Sequence, residues 1–546
     1  MLGQMMNAPL TITSILRYAE RVFRDTEIVS VTADNPRHRY TFGDAFGRAR
    51  RVANLLDGLG LRRGDRIATL AWNDYRHFEL YYGISCAGYV CHTINPRLFP
   101  EQIAYIANHA EDQWIFTDVA FVPLLEQIQD QLGTVKGFVV LTGQATMPTT
   151  RLRNVHCYEA LIADQPADYA WPELDENAGS SLCYTSGTTG NPKGVLYSHR
   201  STVLHCLGTG QRDVVGLAAG DTVMPVVPMF HVNAWGVVYA AAATGARLVF
   251  PGPKMGDGET LAKLINEERV GLALGVPTVW LALVNHLRES GGSVPSLQRV
   301  VVGGAACPEA LMRALDQHGV YTHVGWGMTE MSPLGTLNTL LPWMEELPDA
   351  ERMAYRLKAG RLIYGVEMRI VDDAGEELPW DGKHSGRLQV RGPWVCSGYY
   401  KLDHSAAHAE DGWFATGDVA CIHPDGFLQI TDRAKDVIKS GGEWISSVDL
   451  ENCACGHPEV LMAAAIGVKH PKWDERPVLL VVPRPNCSPS QESIMQHLAG
   501  HFARWQLPDA IVFTDKLPLT ATGKLNKRSL RETYGQVLMQ EPASAG

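Results

Sequence analysis

The sequence YTSGTTGNPKG, residues 184–194, is the most informative part of the chain, because it places four small hydroxyls, three glycines and one lysine between two short uncharged runs. Those runs are SSLC, residues 180–183, and VLY, residues 195–197. Glycine allows positive φ and close approach to a bulky anion. Successive backbone N–H groups and hydroxyls then donate to phosphate oxygens, and Lys193 adds a point charge. The stretch predicts a phosphate-binding loop.

The order of residues in this loop separates it from two simpler interpretations. It is not a Walker A loop, because no Gly-Lys-Ser/Thr follows the first glycine at the required spacing. A flexible Gly/Thr turn between two strands would have the same composition, but eleven residues in this order favour the phosphate loop. The rest of the chain must then supply the other parts of a nucleotide site.

Length, charge and cysteine content exclude several classes of protein. A chain of 546 residues exceeds one ordinary hydrophobic core, so two or more domains are expected. The net charge of −11 argues against a general nucleic-acid or anionic-membrane surface. Eleven cysteines, an odd number scattered along the chain, indicate a reducing cytoplasm rather than a disulfide framework.

Three local patterns bear on metal binding, membranes and secretion. CACGH, residues 453–457, looks like a metal cluster, but it lacks a second ligand pair at zinc spacing and is interpreted as ordinary thiols. The apolar stretch at 234–246 is too short to span a bilayer, and residues 1–9 lack the basic start of a secretory signal. We therefore expect a cytoplasmic protein without integral membrane contact.

Alternating helix and strand patterns predict the fold class. Apolar residues recur at helical spacing over 41–59, with Thr41 as N-cap. Strand-like runs then alternate with helical ones, which predicts an α/β fold with mostly parallel sheets and helices on both faces. Short strands after Asp372 predict a β-rich subdomain, and a smaller α/β unit follows residue 437. Its predicted helices cover residues 447–453 and 491–505.

Two further motifs supply side chains for a nucleotide. In GWGMTE, residues 325–330, Trp326 has a flat face for a purine and Thr329 a hydroxyl for a phosphate, while Glu330 is an oxygen ligand for Mg²⁺. A turn with a packed Trp is the simpler interpretation. Farther along, the carboxylate of Asp418 can accept from both ribose hydroxyls, and Arg433 can donate to the same sugar. In isolation, Gly-Asp before such an arginine is only a common turn.

Two more features suggest space and orientation for a carboxylic acid. In PMFHVNAW, residues 228–235, His231 can orient a carboxylate and Trp235 can close an apolar tunnel. A buried histidine and a core tryptophan are an equally simple interpretation. Gly303 and Gly304 end a strand with almost no side-chain volume, which leaves room for ligands.

Five motifs in one order resemble the adenylate-forming superfamily of acyl-CoA synthetases and adenylation domains. The first three are the phosphate loop, GWGMTE and the Asp418–Arg433 pair. The other two are KDVIKSGGEW, residues 435–444, and LTATGKLNK, residues 519–527. Together they span residues 184–527. The chain is most similar to the bacterial medium- and long-chain fatty acyl-CoA synthetases within this superfamily.

The resemblance implies roles for individual residues. Lys524 is the catalytic lysine, which holds the substrate carboxylate and the α-phosphate together while negative charge develops. His231 and Glu330 complete the catalytic set, Trp235 is the gate of the acyl tunnel, and Thr185 with Glu330 holds Mg²⁺. The implied ATP- and CoA-binding residues are Thr185, Ser186, Gly187, Thr188, Thr189, Gly190, Lys193, His231, Val232, Gly303, Gly304, Gly325, Trp326, Gly327, Thr329, Asp418, Arg433, Lys435, Lys439, Trp444 and Lys524.

The resemblance also implies a domain plan. Residues 1–431 form an N-terminal domain with the ATP and acyl pockets, residues 432–436 a hinge, and residues 437–546 a mobile C-terminal domain carrying Lys524. This chain departs from the family at Lys435, where many relatives have Asp, and at Trp326, where they usually have Tyr. Trp326 should retain stacking but lose any phenolic hydrogen bond.

The implied activity is ATP-dependent joining of a fatty acid to coenzyme A through an acyl-adenylate, with AMP and pyrophosphate released. The implied partners are the small acid, ATP, Mg²⁺ and CoA, without nucleic acid, and a homodimer is possible. A short thioether such as 3-methylthiopropionate is a second candidate acid. Three rival hypotheses are transfer to a carrier-protein pantetheine, although no carrier domain follows Lys527, a non-catalytic nucleotide-binding protein, and a luciferase-like oxygenase.

Overall fold

Three β-sheets flanked by helices form the part of the chain that the computed structural model describes, which confirms the α/β class. The described residues are 1, 3–185, 191–440, 443–519 and 525–538, with the backbone alone at 443 and 444. The helices are α1 (Ile12–Val22), α2 (Phe42–Gly58), α3 (Tyr75–Cys86), α4 (Pro100–Ala110), α5 (Val122–Ile128), α6 (Tyr158–Ala163), α7 (His199–Thr209), α8 (Val237–Thr244), α9 (Gly258–Glu268), α10 (Pro277–Ser290), α11 (Glu309–Gln317), α12 (Asp349–Arg356), α13 (Ser447–Cys455), α14 (Gln491–Ala499) and α15 (Lys527–Tyr534).

The predicted helix after Thr41 illustrates why the sequence folds as it does locally. The Thr41 side chain accepts from the Asp44 amide, and the Asp44 carboxylate accepts from the Thr41 amide, which makes a capping box at the start of α2. The apolar face of α2 is fully buried and packs mainly on α3.

A largely parallel sheet of seven strands carries the phosphate loop at one edge. All its neighbours pair in parallel except the last two strands, which form an antiparallel hairpin around the loop. The spatial order is β7 (Val155–Cys157), β6 (Gly137–Val140), β5 (Trp114–Thr117), β3 (Arg66–Leu70), β4 (Val90–Thr93), β8 (Gly179–Tyr184) and β9 (Gly194–Ser198).

A second sheet of thirteen strands joins the predicted β-rich subdomain to a parallel segment. It is parallel from β14 to β1 and antiparallel elsewhere, so the β-rich strands continue this sheet. The spatial order is β17 (Glu367–Val371), β18 (Gly386–Arg391), β19 (Phe414–Ile422), β20 (Phe427–Arg433), β16 (Gly360–Leu362), β15 (Leu334–Leu337), β14 (Tyr321–Gly327), β13 (Arg299–Val302), β12 (Leu272–Gly275), β10 (Thr222–Pro225), β11 (Arg247–Phe250), β1 (Glu27–Ser30) and β2 (His38–Thr41).

The C-terminal residues form a smaller α/β unit with its own core. Its sheet has the order β22 (Glu443–Ile445), β21 (Ile438–Ser440), β24 (Asp474–Pro483) and β23 (Val460–His470), with β25 (Ala510–Phe513) pairing with β24. Helices α13 and α14 cover one face of this sheet and α15 lies against β23. None of the described helices is long and apolar enough to cross a membrane.

One predicted helix ends earlier in the structure, and the predicted hinge begins within a strand. The helix predicted over 491–505 ends at Ala499, because Gly500 caps it with a hydrogen bond from its amide N–H to His497 O. A short 3₁₀ turn at Arg504–Gln506 follows. The first two residues of the predicted hinge, Asp432 and Arg433, still pair with β19. The chain therefore leaves the large sheet just before Lys435, and the hinge itself stays a prediction.

Candidate active site

The ends of β14, β19 and β20 bring together three residues that the sequence assigned to a nucleotide. Trp326 Nε1 donates to Asp418 Oδ2 at 2.9 Å, and Arg433 Nε donates to Asp418 Oδ1 at 2.8 Å. The Asp418 side chain is buried, so the two donors fix its orientation and offset the cost of burying its charge. Although Trp326 replaces the family's tyrosine, its indole N–H still supplies a hydrogen-bond donor.

These residues line a cleft of about 740 Å³ between the two α/β units. One wall contains Gly304, Gly325, Trp326, Gly327, Asp418 and Arg433. The opposite wall belongs to the C-terminal unit and contains Asp449, Asn452, Cys453, His497 and His501. A cleft with a carboxylate, an arginine and an indole on one wall has the groups needed to hold a nucleoside.

Glu330 lies just beyond β14 and is the carboxylate that the sequence assigned to Mg²⁺. It is 6% exposed, and Tyr399 OH donates to its Oε1 at 2.7 Å. Burial and the Glu330 carboxylate raise the pKa of Tyr399, so the phenol remains a donor. Among the described residues Glu330 has no ion-pair partner, and a buried carboxylate usually needs a cation or a metal.

Sequence reasoning missed Tyr399, which connects Glu330 to the phosphate loop. Lys193 Nζ lies 4.7 Å from the centre of the Tyr399 ring, within cation–π range. The GYYK sequence at 398–401 lies outside the five motifs, so its place in the fold is what identifies Tyr399. Tyr399 thus contacts both Lys193, through its ring, and Glu330, through its hydroxyl.

The ends of the phosphate loop are fixed by the β8–β9 hairpin. The Thr185 amide donates to Lys193 O at 2.9 Å, and the Lys193 amide donates to Thr185 Oγ1 at 3.2 Å. The predicted phosphate ligands Ser186, Gly187, Thr188, Thr189 and Gly190 lie outside the described residues.

Trp235, the predicted gate of the acyl tunnel, lies in an unexpected backbone conformation. Residues Val232–Trp235 all have positive φ, between +48° and +55°, although none is glycine. Each such residue costs roughly 1–2 kcal/mol, so the surroundings must hold this left-handed turn. Asn233 does so from a buried position, donating to Ser181 Oγ at 2.9 Å and accepting from Tyr81 OH at 3.2 Å.

The left-handed turn places Trp235 against the strand end that the sequence predicted to be open. A Cβ added at Gly303 would lie 3.0 Å from the Trp235 indole and 3.1 Å from Gly325 O. The backbone can therefore approach the indole this closely only with glycine at 303. Beside the turn, His231 is partly exposed and Val232 is buried.

Two residues assigned to the hinge region, Lys435 and Lys439, do not line the cleft. The Lys435 side chain is exposed, and partial desolvation of its ammonium lowers its pKa. Lys439 lies in β21 with an exposed side chain, and its amide donates to Glu475 Oε2 at 3.0 Å. The side chain of Trp444 and the whole of Lys524 lie outside the described residues. The roles of these four residues stay predictions.

Lys527, the lysine nearest to Lys524 in the sequence, has a structural role. It is 9% exposed at the start of α15, and its ammonium pairs with Glu451 Oε1 on α13 at 2.7 Å. Burial raises the pKa of Glu451, and the Lys527 ammonium opposes that rise.

We expect Lys527→Ala to destabilise the C-terminal unit by about 3 kcal/mol, because it leaves a buried carboxylate without its partner. Thermal unfolding followed by circular dichroism checks this. The matched control is Arg528→Ala, which removes an exposed ion pair with Glu532 and should cost less than about 0.5 kcal/mol. Equal melting temperatures for the two variants would contradict the structural role.

Comparison with known proteins gives matches along the whole chain. A family model described as AMP-binding enzyme matches residues 17–400, and one described as AMP-binding enzyme C-terminal domain matches residues 449–524. The chain is 52% identical over 539 residues to a 3-methylmercaptopropionyl-CoA ligase of Ruegeria lacuscaerulensis, covering 98% of this chain and 100% of the relative. It is 49% identical over 545 residues to a medium-chain-fatty-acid–CoA ligase of Ectopseudomonas oleovorans, covering 100% of both.

A solved structure with a similar fold covers nearly the whole chain. The anthranilate CoA ligase AuaEII in complex with anthranoyl-AMP has a TM-score of 0.86 and 25% identity, covering 98% of this chain and 99% of that chain.

Proposed function

Because this chain belongs to the AMP-binding enzyme family, we propose that it is an AMP-forming acid–CoA ligase whose acid is a medium- to long-chain fatty acid. The observation that carries the proposal is the cleft in which Trp326, Arg433 and Asp418 meet, together with the buried carboxylate of Glu330 just beyond β14. Its co-substrates are ATP and coenzyme A.

The reaction has two steps with different needs. First the substrate carboxylate attacks the α-phosphorus of ATP, and pyrophosphate leaves. Then the CoA thiolate attacks the acyl carbon of the adenylate, and AMP leaves. Asp418 and Arg433 hold the ribose, Trp326 packs beside the base, and Lys524 stabilises the charge of the first transition state.

Magnesium fits the residues around Glu330. A hard divalent cation prefers oxygen ligands, and the buried Glu330 carboxylate, which accepts a hydrogen bond from Tyr399 OH, has no ion-pair partner among the described residues. We assign Glu330 and Thr185 as the ligands, as the sequence suggested. When bound, the ion neutralises charge on the departing pyrophosphate.

Chain-length preference depends on Trp235 in this proposal. Its indole fills the space next to Gly303, so it limits how far an acyl chain extends. We expect Trp235→Ala to shift the preference toward longer acids by about tenfold in the ratio of kcat/KM for hexadecanoate to octanoate, since each accommodated methylene adds up to about 0.8 kcal/mol.

Pyrophosphate release over a panel of acids measures this shift and tests the proposal itself. The panel contains butanoate, octanoate, dodecanoate, hexadecanoate, phenylacetate and 3-methylthiopropionate. The last acid represents the second candidate, which the 52% identity to a 3-methylmercaptopropionyl-CoA ligase favours. A kcat/KM highest for octanoate or a longer acid supports the fatty-acid assignment, and one highest for 3-methylthiopropionate replaces it.

If residues 432–436 act as a hinge, a substitution there should affect thioester formation and adenylation to different extents. Lys524 and the CoA thiol need access to the same acyl carbon, so the C-terminal unit must present different faces in turn. Lys435→Pro fixes φ at 435, and we expect it to slow thioester formation about tenfold more than adenylation. Lys435→Ala, which removes the ammonium without restricting the backbone, is the control.

Single-turnover assays of each step distinguish the hinge from an electrostatic role of Lys435. Loss of both rates by the same factor in Lys435→Pro would contradict the hinge. The homodimer that the resemblance implies and the cytoplasmic location that the cysteine content indicates stay predictions, which analytical ultracentrifugation and cell fractionation test.

A further inference from the structure

Three potential metal ligands meet on the C-terminal wall of the cleft, and none of them belongs to the residues assigned to ATP, the acid or CoA. Cys453 lies near the end of α13, His497 lies in α14, and His501 follows α14. One ligand atom of each of the three side chains lies within 4.8 Å of the others. Cys453 is a free thiol. The cluster does not include Cys455, the neighbouring cysteine of the CACGH sequence.

The surroundings of His497 suit a metal ligand. Its Nε2 lies 3.0 Å from the backbone carbonyl oxygen of Cys453. A carbonyl only accepts, so Nε2 is the donor of this hydrogen bond, and Nδ1 is the ring nitrogen that can bind a metal. Metal-binding histidines typically donate their other ring N–H to such an acceptor, which fixes tautomer and orientation.

The separation of the three groups is close to that of a real site. Zinc bonds of about 2.0–2.3 Å in tetrahedral geometry place ligand atoms roughly 3.5 Å apart. The three ligand atoms therefore need to move only about 1 Å closer together to bind one Zn²⁺. His501 can supply this movement, because its side chain is exposed and lies beyond the end of α14.

We propose that Cys453, His497 and His501 bind a divalent transition metal of the Zn²⁺ type, with a fourth position open toward the cleft. Thiolate and imidazole ligands select Zn²⁺ over Mg²⁺ and Ca²⁺, which prefer oxygen. The site is thus distinct in ligand chemistry from the magnesium site at Glu330. Three protein ligands leave one tetrahedral position for water, on the cleft wall that faces Trp326 and Asp418.

Zinc titration of the full-length protein against a chromophoric chelator tests the proposal. ATP and pyrophosphate are left out because both bind Zn²⁺. We expect about one high-affinity Zn²⁺ per chain in the wild type that excess Mg²⁺ does not displace. Cys453→Ser and His501→Ala should each weaken Zn²⁺ binding by at least ~10- to 100-fold. This is the loss known for residues that only support a metal ligand, and a direct ligand should matter at least as much.

Two control variants and a spectroscopic readout make the test specific. Cys455→Ser changes a cysteine of the same helix, and His404→Ala changes an exposed histidine elsewhere; both should bind Zn²⁺ as the wild type does. With Co²⁺ in place of Zn²⁺, the thiolate-to-cobalt charge-transfer absorption should appear in the wild type and disappear in Cys453→Ser.

His501 is exposed, so its replacement leaves the fold intact, and a thermal melt verifies this. Zinc binding of equal stoichiometry and affinity in the wild type, Cys453→Ser and His501→Ala would overturn the site. A cobalt complex of the wild type that lacks the thiolate band would also overturn it.

Discussion

Lys524→Ala is expected to lower acid-dependent pyrophosphate release by about a hundred- to several-thousandfold. It should leave thioester formation from supplied acyl-adenylate near the wild-type rate. The ammonium is needed where charge builds up on the α-phosphate, and that charge is absent when the adenylate is already made. Stopped-flow or quench assays of the two half-reactions measure the two rates separately.

The control for Lys524→Ala must be a lysine that touches neither substrate nor core. Lys516→Ala removes an exposed ammonium from the segment before α15, and we expect both half-reactions to proceed at the wild-type rate. Lys527 is unsuitable because its loss disturbs Glu451. Equal damage to both half-reactions in Lys524→Ala would contradict the assignment of Lys524 to adenylation.

Glu330→Gln is expected to lower adenylation by on the order of a hundred- to a thousandfold, because a neutral amide no longer neutralises and positions the magnesium ion. The half-saturating Mg²⁺ concentration should rise as well. Initial rates of pyrophosphate release at varied Mg²⁺ measure both effects.

Tyr399→Phe is the matched variant for Glu330→Gln. It keeps the carboxylate and removes only the hydrogen bond to Glu330 Oε1, so we expect a loss of about tenfold. A Glu330→Gln enzyme with wild-type magnesium dependence would show that the ion binds elsewhere. A Tyr399→Phe enzyme that loses more activity than Glu330→Gln would contradict the assignment of Tyr399 as a residue that acts through Glu330.

Local chemistry made much of the fold predictable from sequence. The capping box at Thr41 and the apolar face of α2 are determined within one helix, so the predicted helix agrees closely with the structure. The alternation of helix and strand likewise determined the parallel sheets. The helix predicted to reach Trp505 was too long, because its apolar pattern continues past Gly500 while the backbone ends at that cap.

The remaining features depend on contacts that sequence spacing does not show. The left-handed turn at Val232–Trp235 runs against local preference, since a β-branched valine disfavours positive φ. It is held by a buried asparagine whose partners lie on other segments. Tyr399 reaches Glu330 across the fold. The cluster of Cys453 with His497 and His501 joins two helices that are distant in the sequence.

In the proposed mechanism the enzyme makes an acyl-adenylate before coenzyme A takes part. Exchange of labelled pyrophosphate into ATP, measured without CoA, tests it most directly, because reversal of the first step returns pyrophosphate to ATP. We expect exchange that requires a carboxylic acid and falls at least about a hundredfold in Lys524→Ala. Absence of exchange with every acid of the panel, or exchange that needs no acid, would contradict it.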